Sequence, residues 1–198
     1  DEFFRFAACC YIPDHPPRSG TLLDYGESFV GFLRDFGPAA SVPYLADVAR
    51  LEWLYLRAYH APEKSPPKGN GFLPQSPADR NAMRLALHPS AGLMTSPYAV
   101  SRIWEVNIRD GEVGETEIPA ESEFLLVIRP GARVEVRRLS PGAFAMVRAI
   151  ELGDTLGEAM AAGCSVAENL DSDRHLQASI AGDTLQPFEQ QPQAYKDP

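Results

Sequence analysis

Apolar residues in the first third of the chain recur at helical spacing, in segments separated by proline and glycine. Residues 2–12 are mostly apolar and aromatic, which predicts the end of a buried helix stopped by Pro13. A second helix is predicted over residues 22–36, with Thr21 as its cap. A third is predicted from about residue 43 to residue 60. Its apolar groups lie on more than one face, which is typical of the central helix of a bundle.

Serine–proline pairs predict two more helix starts in this half of the chain. Ser76-Pro77 can cap and open one helix, after a loop rich in proline, lysine and glycine over residues 62–77. Ser96-Pro97 can open another, although the valine and isoleucine that follow could equally support a strand. The first 109 residues are therefore predicted to form a helical bundle domain.

The pattern changes after residue 109. Residues 110–121 are acidic and contain glycine, which predicts a linker. An apolar strand is predicted over 124–128, then a turn, then a second strand with alternating polar and apolar residues. Ser140-Pro141 and a capping box from Thr155 open two helices, and Gly163 is predicted to end the second. The order strand, strand, helix, helix over 122–185 resembles a winged-helix unit, and 186–198 is predicted to be a disordered tail.

These segments predict an α+β protein, and its composition narrows the possible functions. The chain has 198 residues, 44% of them hydrophobic, so it can bury a sizeable core. Its formal net charge of −9 counts against a general nucleic-acid binder, since such affinity comes largely from basic residues. No apolar run is long enough to span a membrane, and no signal peptide is visible. The three cysteines are an odd number and do not form a disulfide framework, which indicates a reducing compartment. Together these features predict a cytoplasmic location.

The sequence contains no catalytic motif that we can identify. There is no phosphate-binding glycine-rich loop, no zinc-protease motif and no nucleophile elbow. The four histidines lie far apart in different predicted elements, and the adjacent pair Cys9 and Cys10 is expected to be buried and structural. We therefore expect neither an enzyme nor a bound cofactor or metal.

Three charged residues interrupt the apolar pattern of the third predicted helix: Asp47, Arg50 and Glu52. They could form an internal ion pair or a solvated stripe, because an unpaired buried charge is costly. Alternatively, they could belong to a polar docking surface for a partner protein, with Tyr44 and Trp53 as aromatic anchors.

A basic stripe follows the second strand of the predicted hairpin. Three interpretations remain open: a solvated strand face, a wing that touches phosphates, or an exposed edge that accepts an extended peptide. Residues 122–152 contain five arginines and three glutamates, so the excess charge is only +2. The helix predicted over 156–162 lacks Lys, Arg, Asn and Gln, which disfavours base reading. The candidate peptide-binding residues are Arg133, Val134, Val136, Arg137 and Arg138.

Three stretches, spread over roughly residues 1–160, resemble a known bacterial family. They are HPPRS at 15–19 with DYG at 24–26 and FxxFL at 29–33; PYLADVARLEW at 43–53; and LHPS at 87–90 with Ile103-Trp104 and Asn107. The family carries a DNA-binding-domain label and includes the HvfC and BufC proteins. Its members usually have a further helical segment before the point where this chain begins. The resemblance therefore predicts an N-terminal domain that is partly open here.

The resemblance implies two possible functions. The family's label implies a transcriptional regulator. HvfC- and BufC-type proteins instead partner multinuclear non-haem iron enzymes, which modify cysteines in ribosomally made precursor peptides, some of them bufferin-like and linked to copper. On that basis the chain would bind the enzyme, which holds the iron, and present the peptide as a strand added beside the hairpin. The predicted partner-docking residues are Tyr25, Tyr44, Asp47, Arg50, Glu52, Trp53, Trp104 and Asn107.

Overall fold

The computed structural model describes residues 2–17, 20, 25–63, 69–108 and 121–188, and within them the protein is α+β. The helices are α1 (Glu2–Tyr11), α2 (Glu27–Asp35), α3 (Leu45–His60), α4 (Pro77–Ala82), α5 (Val100–Ile108), α6 (Pro141–Glu151), α7 (Leu156–Val166) and α8 (Ser172–Ala181), with a short 3-10 helix at Gly37–Ala39. The strands are β1 (Leu85–Leu87), β2 (Gly92–Ser96), β3 (Glu123–Ile128), β4 (Glu135–Arg138) and β5 (Leu185–Pro187).

The main sheet has three antiparallel strands in the order β2-β3-β4. Its central strand, β3, is almost entirely apolar and buried, because helices cover both of its faces. Leu125 and Val127 face α3 and α5, whereas Leu126 and Ile128 face α6. This alternation follows the two-residue period of a strand. The other sheet is small and pairs β1 with β5.

A second layer of helices packs behind α6. Helices α6, α7 and α8 enclose a core with the β1–β5 pair; its buried residues include Leu85, Met146, Leu156 and Leu176. The capping box predicted at the start of α7 is confirmed, since Thr155 and Glu158 cap each other's main chain. Local hydrogen bonds of this kind satisfy the free N–H groups of the first turn.

Helices α1 and α2 form a smaller cluster against the start of α3. The predicted helical face of α2 is confirmed in part, because Leu33 is buried there with Phe29, Phe32 and Phe36 packed around it. The prediction that residues 2–12 form a buried helix is wrong in its burial. Helix α1 is present, but Phe4 is 64% exposed, and Phe3 and Phe6 are also exposed.

Several predicted boundaries are confirmed and others need correction. Helix α3 has the predicted extent, and Ser76 and Ser140 cap α4 and α6 as predicted. Helix α2 begins at Glu27, later than predicted, and the proposed cap Thr21 lies outside the described residues. Gly163 does not end α7, which continues to Val166, because this glycine lies in close helix packing.

The largest correction concerns strands. The stretch predicted as a purely helical domain, 1–109, also contributes β1 and β2, which pair with strands from the far side of the predicted linker. Helix α8 was not predicted, and β5 reaches Pro187, inside the segment predicted as a tail. Most of the predicted linker, 110–120, and residues 189–198 lie outside the described residues. The division into two domains stays a prediction.

Candidate functional site

The predicted basic stripe on β4 is used largely for contacts within the protein. Arg137 donates from Nη1 to the main-chain oxygen of Gly182 at 2.9 Å and to Oγ1 of Thr184 at 3.2 Å. Its Nη2 also forms an ion pair with Glu135 Oε2 at 2.7 Å. Arg137 therefore fixes the turn between α8 and β5, and little of its guanidinium is left for a ligand.

Arg138 contacts a buried carboxylate at the start of α5. Its Nε lies 3.0 Å from Glu123 Oε1 and 3.0 Å from Ser101 Oγ. Glu123 also accepts hydrogen bonds from the main-chain N–H and the hydroxyl of Ser101, each at 2.8 Å. A carboxylate at a helix N-terminus satisfies free N–H groups and interacts favourably with the helix dipole. Arg138 neutralises that carboxylate, so this group is structural.

The remaining candidates on the hairpin divide between core and surface. Val134 and Val136 are partly buried and pack against the core formed with α3 and α5. Arg133 is exposed in the turn that precedes β4. Of the five predicted peptide-binding residues, Arg133 thus has the side chain most available to a partner. Their role in peptide binding stays a prediction.

Asp47 joins helices α2 and α3 to the end of β2. Its Oδ1 lies 3.9 Å from Nη2 of Arg34, and its Oδ2 accepts a hydrogen bond from Ser96 Oγ at 2.8 Å. The same Ser96 oxygen accepts from the main-chain N–H of Tyr98 at 3.1 Å. Asp47 therefore helps to hold the turn between β2 and α5, and its ion pair is with Arg34 of α2 rather than with Arg50 of its own helix.

The other charged candidates on α3 point away from the core. Arg50 is partly buried and lines a polar cavity, whereas Glu52 is exposed. Partial burial of its carboxylate raises the pKa of Glu52 above its ordinary value, although the residue as a whole is exposed.

The aromatic docking candidates lie in separate places rather than on one surface. Trp53 is 9% exposed and packs in the core, with Arg57 over its ring at 4.9 Å. Trp104 packs against Tyr55 with ring centroids 5.0 Å apart, and Tyr44 packs against Tyr98 at 6.2 Å.

The last two docking candidates are engaged locally. Tyr25 packs edge-on against Tyr11, and its hydroxyl is buried with no hydrogen-bond partner in the part of the chain that is described. Asn107 donates to the main-chain oxygen of Ile103 at 2.7 Å. The eight predicted docking residues are therefore distributed over α3, α5 and the segment before α2, and their role stays a prediction.

Two residues, Arg129 and Ser90, have structural roles that the sequence pattern does not predict. Arg129 donates from Nε to the main-chain oxygen of Ala58 at 3.0 Å and also bonds to that of Ala61, so it caps the end of α3. Ser90 accepts from the main-chain N–H of Arg129 at 2.8 Å, and its hydroxyl lies 2.8 Å from Nδ1 of buried His88. The LHPS motif at 87–90 thus folds into a structural turn.

The described residues offer no arrangement suited to metal binding. No group of three or more His, Cys, Asp or Glu side chains comes together among them. The expectation that Cys9 and Cys10 are buried is wrong, because Cys9 is exposed and Cys10 is partly exposed; Cys164 is exposed too. No helix in the described ranges is long and apolar enough to cross a membrane.

Comparison of this chain with models of protein families and with curated proteins found no match.

Proposed function

We propose that this chain is a non-catalytic, cytoplasmic accessory protein of a multinuclear non-haem iron enzyme, and that it presents a cysteine-containing precursor peptide to that enzyme. The single observation that carries the proposal is the form of the main sheet. It has three strands, helices cover both of its faces, and no further strand of the described residues pairs with the edge of either outer strand. Such an edge can bind an extended peptide through main-chain hydrogen bonds.

The proposal agrees with the chemistry of the described side chains. Three ionisable groups on the hairpin strands, Arg137, Arg138 and Glu123, are engaged in structural contacts. In the proposal the enzyme supplies the iron and the oxidation, and this chain supplies peptide binding and docking. The class of enzyme is inferred from the resemblance of three sequence segments to the HvfC and BufC family.

The finer fold belongs to the same proposal. We assign the hairpin β3–β4 with α6, α7 and α8 to a winged-helix-like, peptide-recognising unit, preceded by a helical bundle. A DNA-binding regulator would use the same architecture, but no observation favours it. Helix α7 has Glu158 as its one charged side chain, and helix α8 sets Asp173 beside Arg174. Neither surface has the positive charge on which affinity for phosphates depends.

The test is reconstitution of the three components. A multinuclear non-haem iron enzyme and a cysteine-containing precursor peptide from the same organism are purified, and peptide modification is followed by mass spectrometry with and without the chain. We expect the chain to co-purify with the enzyme and to increase the rate of modification. Equal binding and modification of the peptide by the enzyme alone would sink the proposal. Specific retention of duplex DNA by the purified chain would favour a regulator instead.

A further inference from the structure

The edge of β2 has main-chain groups that point away from the sheet. Residues Gly92, Met94 and Ser96 pair with the odd-numbered residues of β3. The even-numbered residues of β3 bond to β4, as shown by the 2.8 Å hydrogen bond from the Leu139 N–H to the Phe124 oxygen. Antiparallel pairs alternate in this way, so the N–H and C=O groups of Leu93 and Thr95 face outward. Within the described ranges they have no main-chain partner.

A groove runs along this open edge, between the helices that cover the two faces of the sheet. It consists of two cavities of about 650 and 340 Å³. Arg34, Asp47 and Thr95 line both cavities, so the cavities adjoin beside Thr95, near the end of β2. The larger has apolar walls that include Leu33, Phe36 and Val42, and the smaller is more polar and reaches Arg148 on α6. The groove therefore follows the strand past both of its outward-facing residues.

The polar part of the groove is positively charged, although the whole chain has a net charge of −9. Three arginines and one aspartate line it: Arg34, Arg50, Arg148 and Asp47. Asp47 is engaged by Arg34 and Ser96, and Arg148 pairs with Glu151. Arg50 forms no ion pair within the described part of the chain. It is thus a partly buried cation whose charge is available to a ligand.

We propose that the β2 edge binds an extended, acidic segment of a partner polypeptide as a fourth strand of the sheet. The segment pairs with the main-chain groups of Leu93 and Thr95. An acidic side chain lies against Arg50, and apolar side chains enter the pocket beside Leu33 and Phe36. This inference deepens the proposed function by naming the strand that takes the peptide, and it rests on that function only for the identity of the natural peptide.

The side chains beside the two edges, rather than the main chain, favour β2 over β4. The edge of β4 also has outward-facing main-chain groups, at Val136 and Arg138. The arginines of β4 are committed to Gly182, Thr184 and Glu123, however, whereas Arg50 beside β2 forms no ion pair within the described residues. Strand addition gives main-chain affinity at either edge, so the side-chain pockets decide which edge is used.

Fluorescence anisotropy on the full chain tests the inference. The probe is a fluorescein-labelled peptide of about eight residues in which glutamate alternates with valine, long enough to cover the five residues of β2. The same peptide with lysine in place of glutamate is the charge control. We expect the chain to bind the glutamate peptide at least tenfold more tightly, roughly as charge complementarity in a partly buried site allows.

Matched variants identify the edge. Arg50→Glu is expected to weaken binding of the glutamate probe by roughly tenfold or more, because it replaces the free cation with a like charge. Arg133→Glu makes the same change in net charge beside β4 and is expected to alter affinity by less than about twofold. Thr95→Pro removes one outward N–H from β2, and Val136→Pro removes one from β4. Both variants are expected to fold, because proline is tolerated where the N–H of an edge strand faces solvent. Circular dichroism checks that each variant folds.

Amide hydrogen exchange on the wild-type chain is a readout that does not depend on any variant folding. With the glutamate probe bound, we expect slower exchange at Leu93 and Thr95 and no change at Val136 and Arg138. The inference is overturned by protection at β4 instead, by equal losses for Arg50→Glu and Arg133→Glu, or by absence of probe binding. Concentration-dependent dimerisation that protects β2 overturns it too, because the occupant is then a second copy of the chain.

The two proposals fail separately. If the enzyme still needs the chain to modify its peptide but Arg50→Glu and Thr95→Pro leave that reaction unchanged, the β2 site is wrong and the accessory function stands. If the probe binds at β2 but the enzyme modifies its peptide without the chain, the accessory function is wrong and the peptide site stands.

Discussion

Helices α6 and α7 approach each other at two glycines, and replacing one of them tests this packing directly. A β-carbon added at Gly163 would lie 2.6 Å from Cδ2 of Leu170, 3.0 Å from the main-chain oxygen of Gly142 and 3.2 Å from Cβ of Met146. The reciprocal substitution at Gly142 would bring a β-carbon within 2.9 Å of the Gly163 oxygen. Gly163→Ala is therefore expected to destabilise the protein.

The magnitude follows from two opposing effects. Alanine is favoured over glycine inside a helix by about 1 kcal/mol. Overpacking a filled interface costs about 1–3 kcal/mol. The Leu170 methyl group can rotate away, but the Gly142 oxygen and the Met146 Cβ belong to a neighbouring helix and cannot. We therefore take the upper part of that range, about 3 kcal/mol, and expect a net loss of about 2 kcal/mol in the free energy of unfolding.

Gly31→Ala is the matched control. Gly31 also lies inside a helix, α2, but no atom would come within 4 Å of an added β-carbon. Only the helix preference acts there, so this variant should be more stable than wild type by about 0.5–1 kcal/mol.

Thermal and urea unfolding, followed by circular dichroism and tryptophan fluorescence, measure both variants. For a chain of this size about 1 kcal/mol corresponds to a shift of about 2–4 °C in Tm, so Gly163→Ala should melt roughly 4–8 °C lower. If Gly163→Ala is as stable as Gly31→Ala, the close contact between α6 and α7 is wrong.

Three further predictions concern polar contacts. Glu123→Gln should lower the free energy of unfolding by about 1–3 kcal/mol, because an amide N–H₂ would face a Ser101 donor and the charge opposite Arg138 would be lost. Urea unfolding measures this loss, and Glu121→Gln, at an exposed position, is the control. Arg137→Lys should speed amide exchange over β5 while leaving exchange in α3 unchanged, because a lysine cannot reproduce the contacts to Gly182 and Thr184. Unchanged exchange over β5 would contradict the role of Arg137 in fixing the turn between α8 and β5. Hydrogen bonds from the main-chain N–H and the hydroxyl of Thr155 lower the pKa of Glu158. The ionised Glu158 carboxylate therefore stabilises the folded protein at pH values above the ordinary glutamate pKa. This stabilisation is lost as the pH falls through the lowered pKa. The difference in Tm between wild type and Glu158→Gln should therefore shrink on acidification, and a constant difference would show that the charge has no part in it.

Local interactions were the part of the structure most open to prediction from sequence. The helix starts at Ser76, Ser140 and Thr155 were predicted because each cap involves residues within three positions of one another. The hairpin β3–β4 was predicted for the same reason, since its turn is short and its second strand alternates. Propensity and capping chemistry act over such distances without help from the rest of the chain.

Elements stabilised by distant contacts were missed. Strand β2 is five residues long with no alternating pattern, and it exists because Gly92 and its neighbours pair with β3, about 30 residues further along the chain. Helix α8 is mostly polar and buries Leu176 and Ile180 as its only large apolar groups, so its periodicity is weak. The use of Arg137 within the protein depends on a partner 45 residues away. No local pattern reports these contacts.

The addition of β2 also changes where a peptide can bind. From the sequence, β3 and β4 form a two-stranded hairpin, and each strand has one free edge. In the structure β2 pairs with β3, so the edge of β3 is closed and the free edge moves to β2. That edge lies between α3 and α6, next to Arg50, a residue that the sequence assigned to docking rather than to peptide binding. The basic stripe at β4 and the basic groove beside β2 thus differ in one physical respect: Arg137 and Arg138 of the stripe are engaged by contacts within the fold, whereas Arg50 in the groove forms no ion pair within the described residues.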